Sequence, residues 1–371
     1  MAVITSVAAF IGVLTVLVFF HELGHYGVAR WRGVGVEVFS IGMGREIFGW
    51  TDKSGTRWKI SWIPIGGYVK FVGDLGVASA GVEDREYTPE ELAKAFHTKP
   101  LGSRAAVVAA GPIANFILAI LILAGMFMTV GQRFTPPTIG SVVPDSVADA
   151  AGFQEADRIL SIDSTTIDKF EDVLLLIRSS PGRELKFVVE RDATEVVLMA
   201  APDRVVQEVA PGVEEEVGFL GVGFGPVVLV RRGPGTALWY ATKETYFISK
   251  QTLIFLGRMV TGSMAADGVR GPIGIAQMSG QAAQFGLTSI FFFVAVLSIS
   301  LGLINLFPIP ILDGGHLLFY AYEFVRGKPL GKKAQDIGFR IGLTMVLMLM
   351  IFATWQDIGR FNLAERLSGL F

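Results

Sequence analysis

His21-Glu22-Leu23-Gly24-His25 carries the densest potential chemistry in this sequence. On a helix, residues four apart share a face, so the two imidazoles point the same way. At that spacing they can grip one zinc ion, and the intervening carboxylate can act as a base toward water. The motif closes an apolar run from Val3 to Phe20. Ionisable side chains set against hydrocarbon cost about 3 kcal/mol each, so they persist there chiefly to do chemistry or to line a polar cavity. That cost weighs against a chance pattern whose histidines merely satisfy backbone groups.

A second stretch offers a further ligand: Asn305-Leu306-Phe307-Pro308-Ile309-Pro310-Ile311-Leu312-Asp313-Gly314-Gly315-His316. Its prolines break a helix and its glycine pair makes a turn. Asp313 would complete a set of three protein ligands with His21 and His25. A fourth position would stay open, as in catalytic rather than structural zinc sites. His316 competes for the role. On a helix starting near Gly314 it would point away from Asp313, orienting the carboxylate or capping the helix instead.

Composition narrows the alternatives. The 371 residues include no cysteine, which excludes disulfides, thiolate nucleophiles and cysteine ligands. Histidine occurs only at His21, His25, His97 and His316. His97 lies in a polar connector, far from any periodic partner. Charged residues make up 18% of the chain, against about 25% in soluble proteins. Mean hydropathy is +0.52, which points to a membrane protein. A net charge of -2 gives no sign of nucleic-acid binding.

The expected fold is a polytopic α-helical membrane protein of about four transmembrane helices, with a cytoplasmic-side β-hairpin or sheet and an inserted soluble α+β domain. The first span (1–33) carries the zinc motif. It lacks a basic leader and a convincing cleavage site, so it reads as a retained helix. Residues 34–100 hold strand-like runs around Val34–Phe39 and Trp58–Trp62, then Ile63–Val69, then an acidic connector. An edge including Gly66 and Gly67 could pair with an extended substrate backbone; equally, the hairpin could only pack on the helices. The second span (101–131) contains Pro112 and Asn115, a polar side chain at membrane depth whose residue type alone reads as an interhelical hydrogen bond. Residues 135–202 read as short strands and helices. Residues 203–235 read as an irregular linker. Residues 236–286 read as an interfacial amphipathic helix and loop. The third span is 287–325, including Asp313. The fourth, 333–358, has an apolar centre of only Ile341 to Thr354, short against the roughly 20 residues a bilayer requires. A tail follows at 359–371. Basic residues cluster between spans one and two and between three and four, which places those loops in the cytoplasm. Both termini and the α+β domain then lie outside, and the His-Glu motif lies toward the cytoplasmic side.

With these residues in hand, the chain resembles the site-2 protease family of intramembrane zinc metalloproteases, in its bacterial regulator-of-sigma-E protease branch. The resemblance rests on His21–His25, Gly111-Pro112-Ile113-Ala114-Asn115, Gly271-Pro272-Ile273-Gly274 and Asn305–Gly315, in family order. It implies zinc held by His21, His25 and Asp313, with Glu22 as general base. It further implies that Asn305, and Asn115 with it, holds the substrate backbone; Pro308 and Pro310 join Gly66 and Gly67 as places where an extended substrate would lie. Residues 135–202 resemble a single PDZ domain, through Val143–Phe153 and Ala156–Ile162. Two departures are Ala156, where glycine is usual before Asp157, and Asp163-Ser164 in place of an Asn-Gly turn. The implied partners are a single-span membrane protein substrate, a peptide or protein C-terminus at the PDZ-like domain, and the lipid bilayer. The implied location is the bacterial inner membrane, with the PDZ-like domain periplasmic. The implied substrates are an anti-sigma factor already trimmed on its outer side and remnant signal peptides. Two competing readings are a PDZ-bearing scaffold with a structural metal, and a transporter. Glu22 speaks against the first, and the lack of an inverted repeat against the second.

Overall fold

The computed structural model describes residues 2–73, 88–210, 213–262 and 270–360. Most of the polar connector (74–87) and the end of the tail (361–371) lie outside the described residues. Among those described, four helices are long and apolar enough to cross a membrane. These are α1 (Ala2–Trp31), α3 (Leu101–Thr129), α8 (Leu287–Asn305) and α10 (Lys332–Arg360). The chain divides into two compact units. One holds residues 1–125, 238–253 and 267–371; the other holds 126–237 and 254–266.

In the first unit, α1 is apolar almost throughout and uninterrupted by proline. It stops where Gly33 turns left-handed (φ +70). There the Val34 N–H closes back on the Ala29 carbonyl at 2.8 Å, a glycine C-terminal cap. The chain then forms β1 (Val36–Thr51) and β2 (Arg57–Phe71). Both strands bend, so Val38–Ile41 is flanked on one side by Arg57–Ile60 and on the other by Gly67–Lys70. Thr51, Trp50, Gly49 and Phe48 extend the sheet beyond Arg57–Ile60. Gly42 (φ +82) and Gly66 (φ +80) stand where the strands turn. The β1–β2 turn is built on Asp52, which accepts from Ser54 Oγ (2.6 Å), Ser54 N (2.8 Å), Trp58 Nε1 (2.9 Å) and Thr56 N (3.0 Å). These bonds, Ser54's first, hold its carboxyl well below the usual carboxylate range. Phe39 stacks on Trp58, and Tyr26 of α1 meets both rings edge-on. The hairpin is thereby keyed to the helix carrying the His-Glu motif. A short helix, α2 (Pro89–Lys94), follows with a capping box between Thr88 and Glu91.

One sequence expectation changes in this unit. Residues 270–286, read as loop, form a helix, α7 (Pro272–Gln284), that packs along α1. At their contact Gly280 lies so near Ser6 that no Cβ would fit. The fourth span, read as 333–358, lies within α10, which runs unbroken through Asp336, Arg340 and Asp357. Asp357 is fully buried and accepts from Gly271 N (3.2 Å) and Gly274 N (2.8 Å). It therefore satisfies the open N–H groups at the start of α7, and a residue that looked like the end of a span is a cap for its neighbour. The long charged segment after Gly233 forms α6 (Pro234–Val260), in which Thr242, Ser249 and Thr252 bond to carbonyls four residues back.

The second unit is built on a four-stranded sheet, ordered β6-β5-β7-β8. The strands are β5 (Arg158–Ile162), β6 (Thr165–Thr166), β7 (Leu185–Arg191) and β8 (Thr194–Ala200). Phe170, Val173 and Ile177 line the buried face of the helix Phe170–Arg178, α5; Val173 and Ile177 join Ile159, Ile162, Leu185, Phe187 and Leu220 in the core, and Phe170 meets Phe224 edge-on. Ala156 takes a left-handed conformation (φ +70), as does Asp163 (φ +51). The two sequence departures noted above thus keep the backbone turns that glycine or asparagine would favour.

The region 203–235, expected to be a linker, instead carries four strands: β9 (Asp203–Ala210), β10 (Val213–Phe219), β11 (Val222–Phe224) and β12 (Val228–Val230). β9 and β10 form a hairpin. β11 pairs with β4 (Ile139–Val142), and β12 pairs with β3 (Gln132–Phe134). Three-residue strands have no readable alternation, and their partners lie far back in the sequence, so periodicity could not reveal them.

Candidate metal centre

The α-helical pitch sets His21 and His25 one turn apart on α1, with their Nε2 atoms 3.2 Å apart. Asp313 opens α9 (Asp313–Arg326). Its Oδ2 lies 3.2 Å from His21 Nε2, and its Oδ1 lies 3.5 Å from His25 Nε2. Among the described residues these form the one cluster of three or more metal-ligating side chains. Zinc bonds of about 2.0–2.2 Å at tetrahedral angles put ligand atoms about 3.3–3.5 Å apart. The three separations, with each imidazole nearest a different oxygen of Asp313, are close to that edge length, and the donors are two imidazole nitrogens and a carboxylate. The residues present therefore fit a zinc ion with one tetrahedral position left over.

Close backbone approach builds the triangle. Gly24 of α1 meets Ala110 and Ala114 of α3 with no room for a Cβ. Gly111 of α3 faces both imidazoles, and a Cβ there would lie 2.6 Å from His25 Cε1 and 2.8 Å from His21 Cε1. His25 Nδ1 donates to the Val107 carbonyl at 2.9 Å, which leaves Nε2 as the lone-pair end. His21 Nδ1 lies 3.1 Å from the Asn115 carboxamide. Asn115 also ties α3 to α8, because its backbone carbonyl accepts from Ser298 Oγ at 2.8 Å.

The Asp313 side is set by the turn after α8. Gly314 packs against the Leu306 and Phe307 carbonyls, and Gly315 against Ile309 and Pro310. Neither tolerates a Cβ. Ile311 sits at φ +97, an outlying conformation for a β-branched residue. Pro310 is pressed by Gly342 of α10. At the far end of α9, Glu323 receives two bonds from Arg104 of α3, at 2.6 and 3.2 Å. The helix bearing Asp313 is thus held at both ends.

Glu22 is half-buried beside the triangle. A Cβ on Gly67 would lie 3.3 Å from Glu22 Cγ and 2.6 Å from Val18 Cγ1, so β2 runs directly past the carboxylate.

The other sequence-derived residues fall in different places. Gly66 and Gly67 lie in β2, next to Glu22 in the case of Gly67. Asn305 ends α8, half-buried. Pro308 is exposed and Pro310 half-buried in the turn before Asp313. Asn115 is fully buried, with its side chain on His21. His316 lies among the rings of Phe319 and Phe339 and is not in the cluster. His97 is in a single turn, Phe96–Thr98; burial, and then Arg104, lower its pKa. Sequence reasoning missed the Val107 carbonyl, Ser298 and Asp357. A backbone carbonyl leaves no mark in a sequence, and a lone serine or aspartate in an apolar helix was the only available sign of the other two.

A profile of peptidase family M50 matches residues 9–349. Similar proteins include one of Rhizobium meliloti named "Putative zinc metalloprotease", 46% identical over 95% of this chain and 96% of its own length. One of the same name from Agrobacterium fabrum is 45% identical over 95% of each chain. "Metalloprotease MmpA" of Caulobacter vibrioides is 39% identical over 97% of this chain and 96% of its own length. The match runs through both halves of the triangle and through the glycines that bring them together, and the chain belongs to peptidase family M50.

Proposed function

We propose that this zinc metalloprotease of family M50 cuts a peptide bond within a transmembrane segment, with His21, His25 and Asp313 as zinc ligands and Glu22 as general base. The observation that carries the reading is the three-atom ligand triangle with a carboxylate beside it, at one end of an apolar helix. Zinc bound there supplies a Lewis acid that polarises a peptide carbonyl and acidifies water. Glu22 takes the proton of the attacking water and returns it to the leaving amine. A helical peptide bond is shielded by its own hydrogen bonds, so the substrate enters extended. The Gly67–Lys70 segment of β2, which borders Glu22, offers it a strand to pair with. Pro308, Pro310 and Asn305, on the Asp313 side, hold the same segment.

In this reading the substrate is a single-span membrane protein. An anti-sigma factor already trimmed on its outer side is the leading case, as in the regulator-of-sigma-E branch, and remnant signal peptides are another. Residues 135–202 act as a PDZ-like domain that takes a peptide C-terminus on the periplasmic side of the inner membrane.

The test is zinc analysis of the purified protein together with cleavage of a model single-span substrate. Wild type is expected to hold about one zinc and to cut. Glu22→Gln is expected to keep the zinc and lose about 10²–10⁴-fold in rate. Cleavage by Glu22→Gln at the wild-type rate would remove the general base, and a wild type without zinc would remove the ligand set.

A further inference from the structure

We infer that Asn115 is a positioning residue: its carboxamide oxygen accepts from His21 Nδ1–H and thereby fixes the tautomer that presents Nε2 to the metal. The inference rests on the zinc reading above.

The two imidazoles of the triangle each need a lone pair on Nε2, since both Nε2 atoms face Asp313 and each other. A neutral imidazole with a lone pair on Nε2 carries its proton on Nδ1. That proton needs an acceptor wherever water is excluded. For His25 the acceptor is the Val107 carbonyl, which can only accept. For His21 the group at Nδ1, among the described residues, is the Asn115 carboxamide, 3.1 Å away. His21 and Asn115 are both buried, at 9% and 0% exposure, so solvent does not substitute.

The two ends of a carboxamide have the same shape, and chemistry decides which faces the ring. With the amide nitrogen toward Nδ1, two donors would oppose each other once Nε2 holds a cation. The amide oxygen has no hydrogen-bond partner in the opposite orientation. With the oxygen turned toward Nδ1, the bond is made and the tautomer is fixed. Asn115 is itself anchored: its backbone carbonyl receives Ser298 Oγ, and Gly302, one turn along α8 from Ser298, lies against Pro112 and Phe116 of α3. Three helices therefore hold one proton in place. Partners of this kind set ligand orientation and basicity in metal sites, and their loss typically lowers metal affinity 10–100-fold.

The test uses the full chain in detergent and zinc alone. Asn115→Leu keeps the volume and removes the acceptor; zinc affinity is expected to fall about 10–100-fold. Asn115→Asp keeps an acceptor and is expected to hold zinc within a few-fold of wild type. Equal affinity for wild type and Asn115→Leu would overturn the inference, as would an equal loss in Asn115→Asp and Asn115→Leu. A direct readout needs no change at Asn115. In a His97→Gln/His316→Gln background with ¹⁵N-labelled histidine, only the two ligand rings remain. Zinc-loaded protein is expected to show a proton on Nδ1 of both rings. Since Val107 can only accept, a ring without that proton would be His21, and that result would overturn the inference even if every Asn115 variant failed to fold. A wild type that binds no zinc would instead defeat the reading beneath it.

Discussion

Gly111 sets how closely the two imidazoles can pack against α3. Two imidazoles lie where its Cβ would be. Gly111→Ala is expected to push His21 and His25 apart, because core packing does not yield by a methyl group without strain. The expected outcome is at least a tenfold loss of zinc affinity and of cleavage, with the helical circular dichroism unchanged; retention of zinc at wild-type affinity would show that α1 can shift to make room. At this scale the sequence was informative where a residue's type is its message. His21, Glu22 and His25 announce themselves by spacing, and Asp313 by its place in a broken helix. Asn115 also stood out, as a polar side chain in an apolar run. Its neighbour could not be read, however, because the contact joins α1 to α3. The residue itself reads as a helix-to-helix hydrogen bond and the family resemblance adds a substrate-holding role; the structure sets its side chain against His21 of α1.

At the scale of elements, the helices that carry the ligands are held by capping and close approach as well as by apolar packing. Asp357 of α10 satisfies two N–H groups at the start of α7, and α7 lies along α1. Replacing Asp357 with Leu leaves those donors buried and unpaired. Each such loss costs about 1–3 kcal/mol. Asp357→Leu is expected to lower stability by about 2 kcal/mol in a denaturant titration followed by tryptophan fluorescence, while Asp357→Asn, which keeps one acceptor, loses less. An unchanged midpoint for Asp357→Leu would mean that α7 does not depend on this cap. The apolar spans were legible because a membrane helix writes its length in composition. In α10 the charges at Asp336, Arg340 and Asp357 interrupt that signal, yet the span read as 333–358 lies within the helix. The α+β unit was legible where strands exceed four residues and alternate, as in β7 and β8. It was illegible at β11 and β12, which are strands only by virtue of β4 and β3.

For the whole molecule, the arrangement of charge makes a statement about sidedness that the four helices alone do not. Basic residues gather between the first two spans and again at Arg326, Lys328, Lys332 and Lys333. The absence of cysteine makes this simple to examine. With a membrane-impermeant maleimide on intact cells whose outer membrane has been permeabilised, Ser164→Cys is expected to react, and Lys328→Cys only after lysis. Both positions are exposed. The opposite pattern would invert the proposed orientation. What the sequence determined by itself is whatever local covalent geometry encodes: the shared face of His21 and His25, the spans, the turn that frees Asp313, and a ligand inventory without sulfur. Only the tertiary structure decided that Asp313 meets those imidazoles at 3.2 and 3.5 Å, that Val107 and Asn115 stand behind them, and that β2 passes Glu22. Those contacts are made between elements, through backbone groups and glycines whose identity in a sequence says that something comes close but not what.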